Sequence, residues 1–419
     1  MNRPYAGTSS QPLPAPARTA LETYRMRLGW AGAGQPITVA WAPGRINLIG
    51  EHTDYTGGFV LPVAINRVVA LAGRRIEDWQ VHVTSRHHRQ MASFPADRLA
   101  LLSSAPAPTL PFFARYVRGV LAEMAALPGA PAVPVFDAII NGDVPVGGGL
   151  SSSAALEVAT ATFVAALGGP ALDPLDMAQL CQRAERKGVG VKVGILDQAA
   201  SCLARFHHAL LLDCRSLSYT HIPILLSGYA LAVFETGVPH TLASSGYNER
   251  VSECRRATSL LRKAIIAEDA TREITQLRDI TAEDLARYGQ ELPETLRRRA
   301  RHVVSENARV HQAVAALRAA DAQALGDLLY ASHASLRDDY CVSCPELDAV
   351  VEIVRNVHGV YGARMIGGGF GGSVLILAEQ SAVNDIRRAL MDEYPRRTQC
   401  IGRLHLCRIS GGPGAVTVA

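Results

Sequence analysis

The sequence predicts a two-part α+β protein, and three observations carry that expectation. A chain of 419 residues exceeds what one hydrophobic core usually organises, since domains average about 150 residues. Up to about residue 225, short apolar runs bounded by Pro and Gly alternate with helical stretches. Beyond that point the character changes. Tyr247 to about Ala320 is rich in Arg, Glu, Leu and Ala, as helices require, and Gly362–Ala378 then returns to a strand, glycine turn, strand pattern. The expected layout is a flexible tail over 1–18, a first half over 19–225 and a second half over 226–419.

The elements follow in order. Ala17–Leu28 alternates apolar and charged residues as a short amphipathic helix would, and Ile37–Trp41 reads as a strand ending at Pro43-Gly44. A polar segment, Arg45 to Tyr55, precedes another apolar run, Phe59–Ile65. Val135–Ile140 alternates as a strand, Gly142–Gly149 is a glycine-rich loop, and Ser151 opens a helix that stops at Gly168-Gly169. Gln179–Lys187 reads as a helix, Val189–Gln198 as a loop, and Ala209–Asp213 and Tyr229–Phe234 as strands. No repeat of 20 to 50 residues marks a solenoid or propeller.

Composition narrows the class of function. With 48% hydrophobic and 19% charged residues the chain reads as an ordinary globular protein. A net charge of +4 is too small and too dispersed to make nucleic acid the expected partner. The run Arg297-Arg298-Arg299-Ala300-Arg301 lacks interleaved aromatics and is expected on a solvated helix face. No stretch approaches the roughly 20 apolar residues of a membrane span, and Met1–Ala20 has no apolar leader core, so the expected location is the cytoplasm. Of eight cysteines only Cys341 and Cys344 stand close together, which predicts reduced thiols and no zinc site.

Chemistry concentrates in a few segments. In Val144 to Ala155, glycines let backbone N–H groups converge on an anion, and the helix that follows adds its positive end and three hydroxyls. This is not a Walker loop, because Gly148 stands where the lysine should be, and not a nucleophile elbow, because Ser153 stands where a glycine is needed. A glycine turn with serine caps is also a common structural device. Gly367–Gly372 fits G-x-G-x-x-G, yet a strand follows where the dinucleotide fingerprint needs a helix, so a tight turn able to approach a ligand is expected. Arg45, Glu51, His52 and Asp54 gather hydrogen-bonding groups suited to a polyhydroxylated ligand, or to a surface ion cluster. Asp197 by itself reads as a turn or cap residue.

Together these segments resemble the galactokinases, a branch of the GHMP small-molecule kinases. Gly44 to Tyr55 is similar to their sugar signature, Pro145 to Ala155 to their phosphate loop and Gly362 to Ser373 to their third motif; the likeness spans roughly residues 37–412. The resemblance implies a two-domain GHMP-kinase architecture with the active site between the halves and a ferredoxin-like C-terminal half. It also implies transfer of the γ-phosphoryl group of ATP to the anomeric hydroxyl of D-galactose, with Mg2+ present. By motif position, Asp197 matches the base and Arg45 the residue that steadies it and keeps it ionised. Glu51, His52, Thr53, Asp54, Gly194 and Tyr247 match the sugar pocket, and Ser153 and Glu185 the magnesium ligands. Gly147, Gly148, Gly149, Leu150, Ser151, Ser152 and Ser153 match the phosphate cradle, with Tyr116 and Phe113 in the adenine region and Ser85 near the nucleotide. Phe113 replaces a frequent tryptophan, and Val193, Leu196 and Arg186-Lys187-Gly188 also depart from the family pattern. Two alternatives are a non-catalytic galactose and ATP sensor and a kinase for a related sugar such as N-acetylgalactosamine. The complete Ser153-Ala154-Ala155 and the presence of Asp197 favour an enzyme.

Overall fold

A computed structural model of the chain describes residues 12–29, 35–97, 99, 109–190, 193–238 and 243–418. In chain order the first elements are α1 (Ala15–Leu28), β1 (Ile37–Asn47), β2 (Phe59–Val60), β3 (Pro62–Arg75), β4 (Gln80–Ser85), β5 (Gln90–Pro95), α2 (Phe112–Ala125), β6 (Phe136–Gly142), α3 (Ser152–Ala166), α4 (Pro174–Gly188), α5 (Leu196–Cys202), β7 (His208–Asp213) and β8 (Tyr219–Pro223). There follow β9 (Tyr229–Glu235), α6 (Ala243–Glu268), α7 (Ala282–Tyr288), α8 (Glu294–Arg318), α9 (Ala322–Asp338), α10 (Pro345–Arg355), β10 (Val360–Ile366), β11 (Ser373–Glu379), α11 (Val383–Thr398), β12 (Arg403–Cys407) and β13 (Gly414–Val418).

The expected strands and helices are present, with bounds that differ where tertiary contacts extend them. Residues 1–11 of the expected tail lie outside the described residues, and the rest of that tail is shorter than expected. α1 begins at Ala15, because Pro16 suits a first helical turn and the stripe Ala17, Ala20, Leu21 and Tyr24 is buried beside Val39, Ala70, Ala72 and Ile139. Pro43-Gly44 does not end β1. The strand passes through it on a bulge between Pro43 and Arg45 and continues to Asn47.

A six-stranded sheet of order β13-β1-β3-β6-β4-β5 forms the first layer, and a three-stranded sheet, β2-β7-β8, lies beside it. The second layer is a four-stranded antiparallel sheet of order β10-β11-β9-β12. Its strands occur in the chain as β9, helices, β10, β11, α11, β12, which is the βαββαβ order of a ferredoxin-like unit. The chain does not divide cleanly near residue 225. β13 returns to pair with β1, Thr38 opposite Thr417, and completes the first sheet from the far end of the chain. No helix among the described residues is long and apolar enough to cross a membrane.

α8 binds the two parts together. Its Glu306, fully buried, accepts hydrogen bonds from the backbone N–H of Gly50 at 3.0 Å, from Ser332 at 2.7 Å and from Arg309 at 2.7 Å. Asn307 accepts from the Phe59 N–H at 2.9 Å, so both ends of the 50–59 loop hang on one helix. The arginine run opens this helix, and only part of it is solvated. Arg299 is buried and donates to Glu253 at 2.8 Å and to the Asp339 carbonyl.

Burial alone would raise the Glu306 carboxyl, but Arg309, His302, Arg364 and the Ser332 hydroxyl hold it down at about 2. A value depressed below the ordinary 4.5 contributes stability above that pH and loses it as pH falls toward 2. Removing one partner of a buried ion pair costs about 3–5 kcal/mol. Glu306→Ala is therefore expected to lower the denaturant midpoint sharply at pH 7, with the gap from the parent narrowing as pH approaches 2; coincident unfolding curves at pH 7 would show that the loop does not depend on this carboxylate.

Candidate active site

β1 lies close against the glycine-rich loop at Gly44, where there is no room for a side chain: a Cβ there would meet the Leu150 carbonyl oxygen at 2.7 Å. The Arg45 N–H donates to that same carbonyl at 3.1 Å. Its buried guanidinium then reaches across the site, donating through Nε and Nη2 to Asp197 Oδ1 at 2.9 and 2.6 Å and through Nη1 to the Gly149 carbonyl. Ser151 Oγ donates to the other carboxylate oxygen of Asp197 at 2.5 Å. One carboxylate is thus held at both oxygens while its side chain stays 30% exposed to the cleft. Asp197 does not lie in a loop, as expected from sequence, but in the first turn of α5, where the positive helix end favours an anion.

A cleft of about 620 Å³ opens above this pair, lined by Arg45, Glu51, His52, Asp54, Tyr116, Ser153, Gly194, Asp197 and Tyr247 among others. Side chains from β1, the loop after it, α2, α3, α5 and α6 meet there, with Gly367 and Gly368 from the β10–β11 turn. Gly194 is required by contact: a Cβ would fall 1.6 Å from Asp54 Oδ2. Burial, reinforced by the negative charge of Asp197, pushes the Asp54 carboxyl up to about 7. His52 is driven the other way, to about 3, by burial and then by His302 and Arg250, so its imidazole is neutral.

Behind the cleft lining Glu185 is buried beside Ser153 and accepts from Gln198 Nε2 at 2.7 Å. Burial and then the charge of Asp197 raise it to about 7. The same Gln198 nitrogen lies 3.0 Å from Glu157, which is fully buried and pushed well up by burial and by Glu185. Among the described residues no group of three or more His, Cys, Asp or Glu could by itself hold a metal ion. A hydroxyl and a carboxyl group that is ready to lose its proton nevertheless suit a hard cation that takes its other ligands from phosphate and water.

Three family models match the chain: a galactokinase galactose-binding signature over residues 31–75, the GHMP kinases N-terminal domain over 115–205 and the GHMP kinases C-terminal domain over 313–396. A galactokinase of Chloroflexus aggregans is 43% identical over 91% of this chain and 94% of its own length, and the Homo sapiens galactokinase is 41% identical over 86% and 88%. The chain belongs to the galactokinase family. The crystal structure of Lactococcus lactis galactokinase complexed with galactose superposes with a TM-score of 0.83 at 34% identity, covering 90% of this chain and 94% of that one. A mevalonate kinase, at TM-score 0.64 and 16% identity, shares the fold.

Not every residue matched by motif faces the galactokinase-family cleft. Thr53 is fully buried with Oγ1 at 2.8 Å from the Gly50 carbonyl and 2.7 Å from that of Phe59, so it braces the loop from behind. Phe113 is buried and stacks on His88 at 5.7 Å, while Ser85 accepts from the His88 N–H at 3.3 Å; neither lines the cleft. The exposed ring of Phe112, one residue earlier, lines it instead. Tyr116 reaches the Ser153 and Glu185 end of the site. Gly147 and Gly148 border a separate groove of about 580 Å³ behind the loop, Leu150 is buried, and Ser152 opens α3.

Sequence reasoning missed Glu157, Gln198 and Arg364. Glu157 lies four residues after Ser153, on the same face of α3, which was a usable signal. Arg364 is fully buried inside the apolar strand β10 and pairs with Glu51 at 3.1 Å; a single arginine in such a run was the clue to it. Glu51 is held further by Asn47 and by the Gly367 N–H.

An acid whose folded value exceeds its ordinary one keeps its proton in the fold, so Asp54 and Glu185 cost the ligand-free protein stability as pH climbs from about 4 toward 7. Asp54→Asn removes one of these groups with little change of shape. Its thermal midpoint should fall less than the parent's between pH 5 and pH 8, and parallel midpoint curves would mean that the proton is held elsewhere.

Proposed function

We propose that this chain transfers the γ-phosphoryl group of ATP to the anomeric hydroxyl of D-galactose, giving galactose 1-phosphate and ADP. One observation carries the reading: Asp197 is held at both oxygens by Arg45 and Ser151 on the floor of a cleft walled by Glu51, His52, Asp54 and Tyr247. Phosphoryl transfer asks a protein chiefly for alignment and charge stabilisation, and that floor supplies both. The carboxylate accepts the proton of the attacking hydroxyl as its oxygen bonds to the γ-phosphorus and the bond to the β,γ-bridging oxygen breaks. Arg45 orients the base and offsets charge that develops on the transferred group.

The galactose pocket combines acceptors and donors of opposite character. Glu51 is committed to Arg364 and the Gly367 amide, so it offers a fixed lone-pair direction. Asp54, poised near neutrality, can accept from one hydroxyl and donate to another. Gly147 to Ser153 are proposed to cradle the phosphates of ATP, and Ser153 and Glu185 to hold Mg2+. When bound, that ion would neutralise phosphate charge. Eight free thiols fit a reducing compartment and hence the cytoplasm.

ADP release measured across a panel of free sugars tests the proposal, with galactose expected well above its epimer glucose; N-acetylgalactosamine as the best acceptor, or no ADP with any sugar, would overturn it. Asp197→Asn should lower kcat by about 10²- to 10⁴-fold while ATP affinity changes little. A mutant that keeps most of its kcat would remove Asp197 from the base role. For the metal, Ser153→Ala and Glu185→Ala should each move the Mg2+ titration of activity to higher concentration, the glutamate change further because it removes a charge. Curves that overlay the parent's would show that neither residue is a ligand.

A further inference from the structure

Behind the cleft, a hydrogen-bonded chain of four side chains runs into the core of the second layer. His52 Nδ1 lies 2.8 Å from the Tyr55 hydroxyl, that hydroxyl 2.7 Å from the hydroxyl of Tyr340, and the Tyr340 hydroxyl 3.1 Å from the Cys254 thiol. The members come from the loop after β1, from α6 and from the turn after α9. Tyr340 is fully buried, and Arg250 Nε donates to its carbonyl at 2.9 Å. His52 itself adopts a left-handed backbone with φ 63°, uncommon for a residue with a side chain. Its ring sits 4.9 Å from that of Tyr340 and 5.8 Å from those of Tyr55 and Tyr247. The other ring nitrogen, Nε2, is buried and completes no hydrogen bond of full geometry among the described residues, with the Gly368 backbone beside the ring; both residues line the cleft.

The chemistry of the members gives the chain a direction. A thiol is a weak donor and a weaker acceptor, a phenol does both, and a neutral imidazole nitrogen is the strongest acceptor of the four. Protons therefore point from Cys254 to Tyr340, from Tyr340 to Tyr55 and from Tyr55 to Nδ1. The reverse order would end on sulfur and leave the best acceptor unused. Burial keeps the thiol protonated up to about 12 and raises both phenols, so every proton the chain needs is in place at neutral pH. With Nδ1 accepting, the ring proton sits on Nε2.

We propose that Tyr55, Tyr340 and Cys254 are positioning residues that hold His52 as its Nε2–H tautomer and aim that N–H into the cleft as a donor to a sugar oxygen. The inference rests on the galactose reading of the cleft, and it goes further by making the chain behind His52 part of sugar recognition. Tyr55 acts directly. Tyr340 and Cys254 act by fixing which way the Tyr55 proton points.

The test uses the whole protein with ¹⁵N-labelled histidine, and His52→Gln identifies the His52 signals. The ligand-free parent should show a protonated Nε2 and a hydrogen-bonded, unprotonated Nδ1, and galactose should shift the Nε2 signal. Tyr55→Phe keeps the ring and removes the hydroxyl: the Nδ1 and Nε2 signals should move toward each other as the tautomer is released, and the galactose KM should rise by up to roughly tenfold while the ATP KM stays near the parent's. Tyr340→Phe should do the same to a smaller extent. A protonated Nδ1 in the parent, an Nε2 signal indifferent to galactose, or a Tyr55→Phe protein with parental signals and parental galactose KM would overturn the inference. Failure of the galactose reading would appear separately, as a parent that releases no ADP with galactose whatever its His52 signals show.

Discussion

The buried guanidinium of Arg45 is the constraint on which the rest of the site depends. It bridges three separate pieces of chain: the end of β1 that carries it, the glycine-rich loop through the Gly149 carbonyl, and α5 through Asp197. A buried cation with its donors satisfied in this way cannot move without leaving an uncompensated charge, so the base, the loop and the strand are fixed relative to one another. The close approach at Gly44 and the left-handed turns at Gly147, Gly149 and Ser151 are what allow the loop to come within reach.

A second pair, Glu51 with Arg364, does for the sugar wall what Arg45 does for the floor. Arg364 comes from the ferredoxin-like sheet and Glu51 from the loop after β1, so the cleft is closed by an ion pair between the two layers. Glu306 and His302 on α8 hold the same loop from the other side, through the Gly50 N–H and through the Glu51 carbonyl at 3.0 Å. Recognition groups therefore sit on a loop that is anchored to rigid elements, which keeps their geometry narrow.

The surplus of negative charge is deliberate in its placement. Burial first and then the charge of Asp197 raise Asp54 and Glu185, Glu157 is raised by burial and by Glu185, and Arg45 is the guanidinium hydrogen-bonded to Asp197. Arg186 offsets Glu185 only in part and donates to the Val193 carbonyl, shaping the loop before α5. Such an arrangement is costly in isolation and becomes favourable when cationic or hydroxyl-bearing ligands enter.

By itself the sequence determined the local elements and the chemically dense segments. Period and punctuation marked β6, the glycine loop and α3 as a unit, and the polar run from Arg45 to Asp54 was visible because so many hydrogen-bonding side chains stand within ten residues. The glycines of the β10–β11 turn were legible as a close approach for the same reason: five in six positions exceed what a turn needs. Only the tertiary structure decided which of these side chains face the ligand. Thr53 turned inward because two carbonyls of its own loop needed a partner, and Phe113 turned inward while Phe112 took the cleft, a choice between adjacent residues that helical spacing leaves open. Arg364, Tyr340 and Cys254 stand far along the chain from the groups they serve. Their roles arise from contacts across β10, α6 and the turn after α9, which no spacing within a single segment can express.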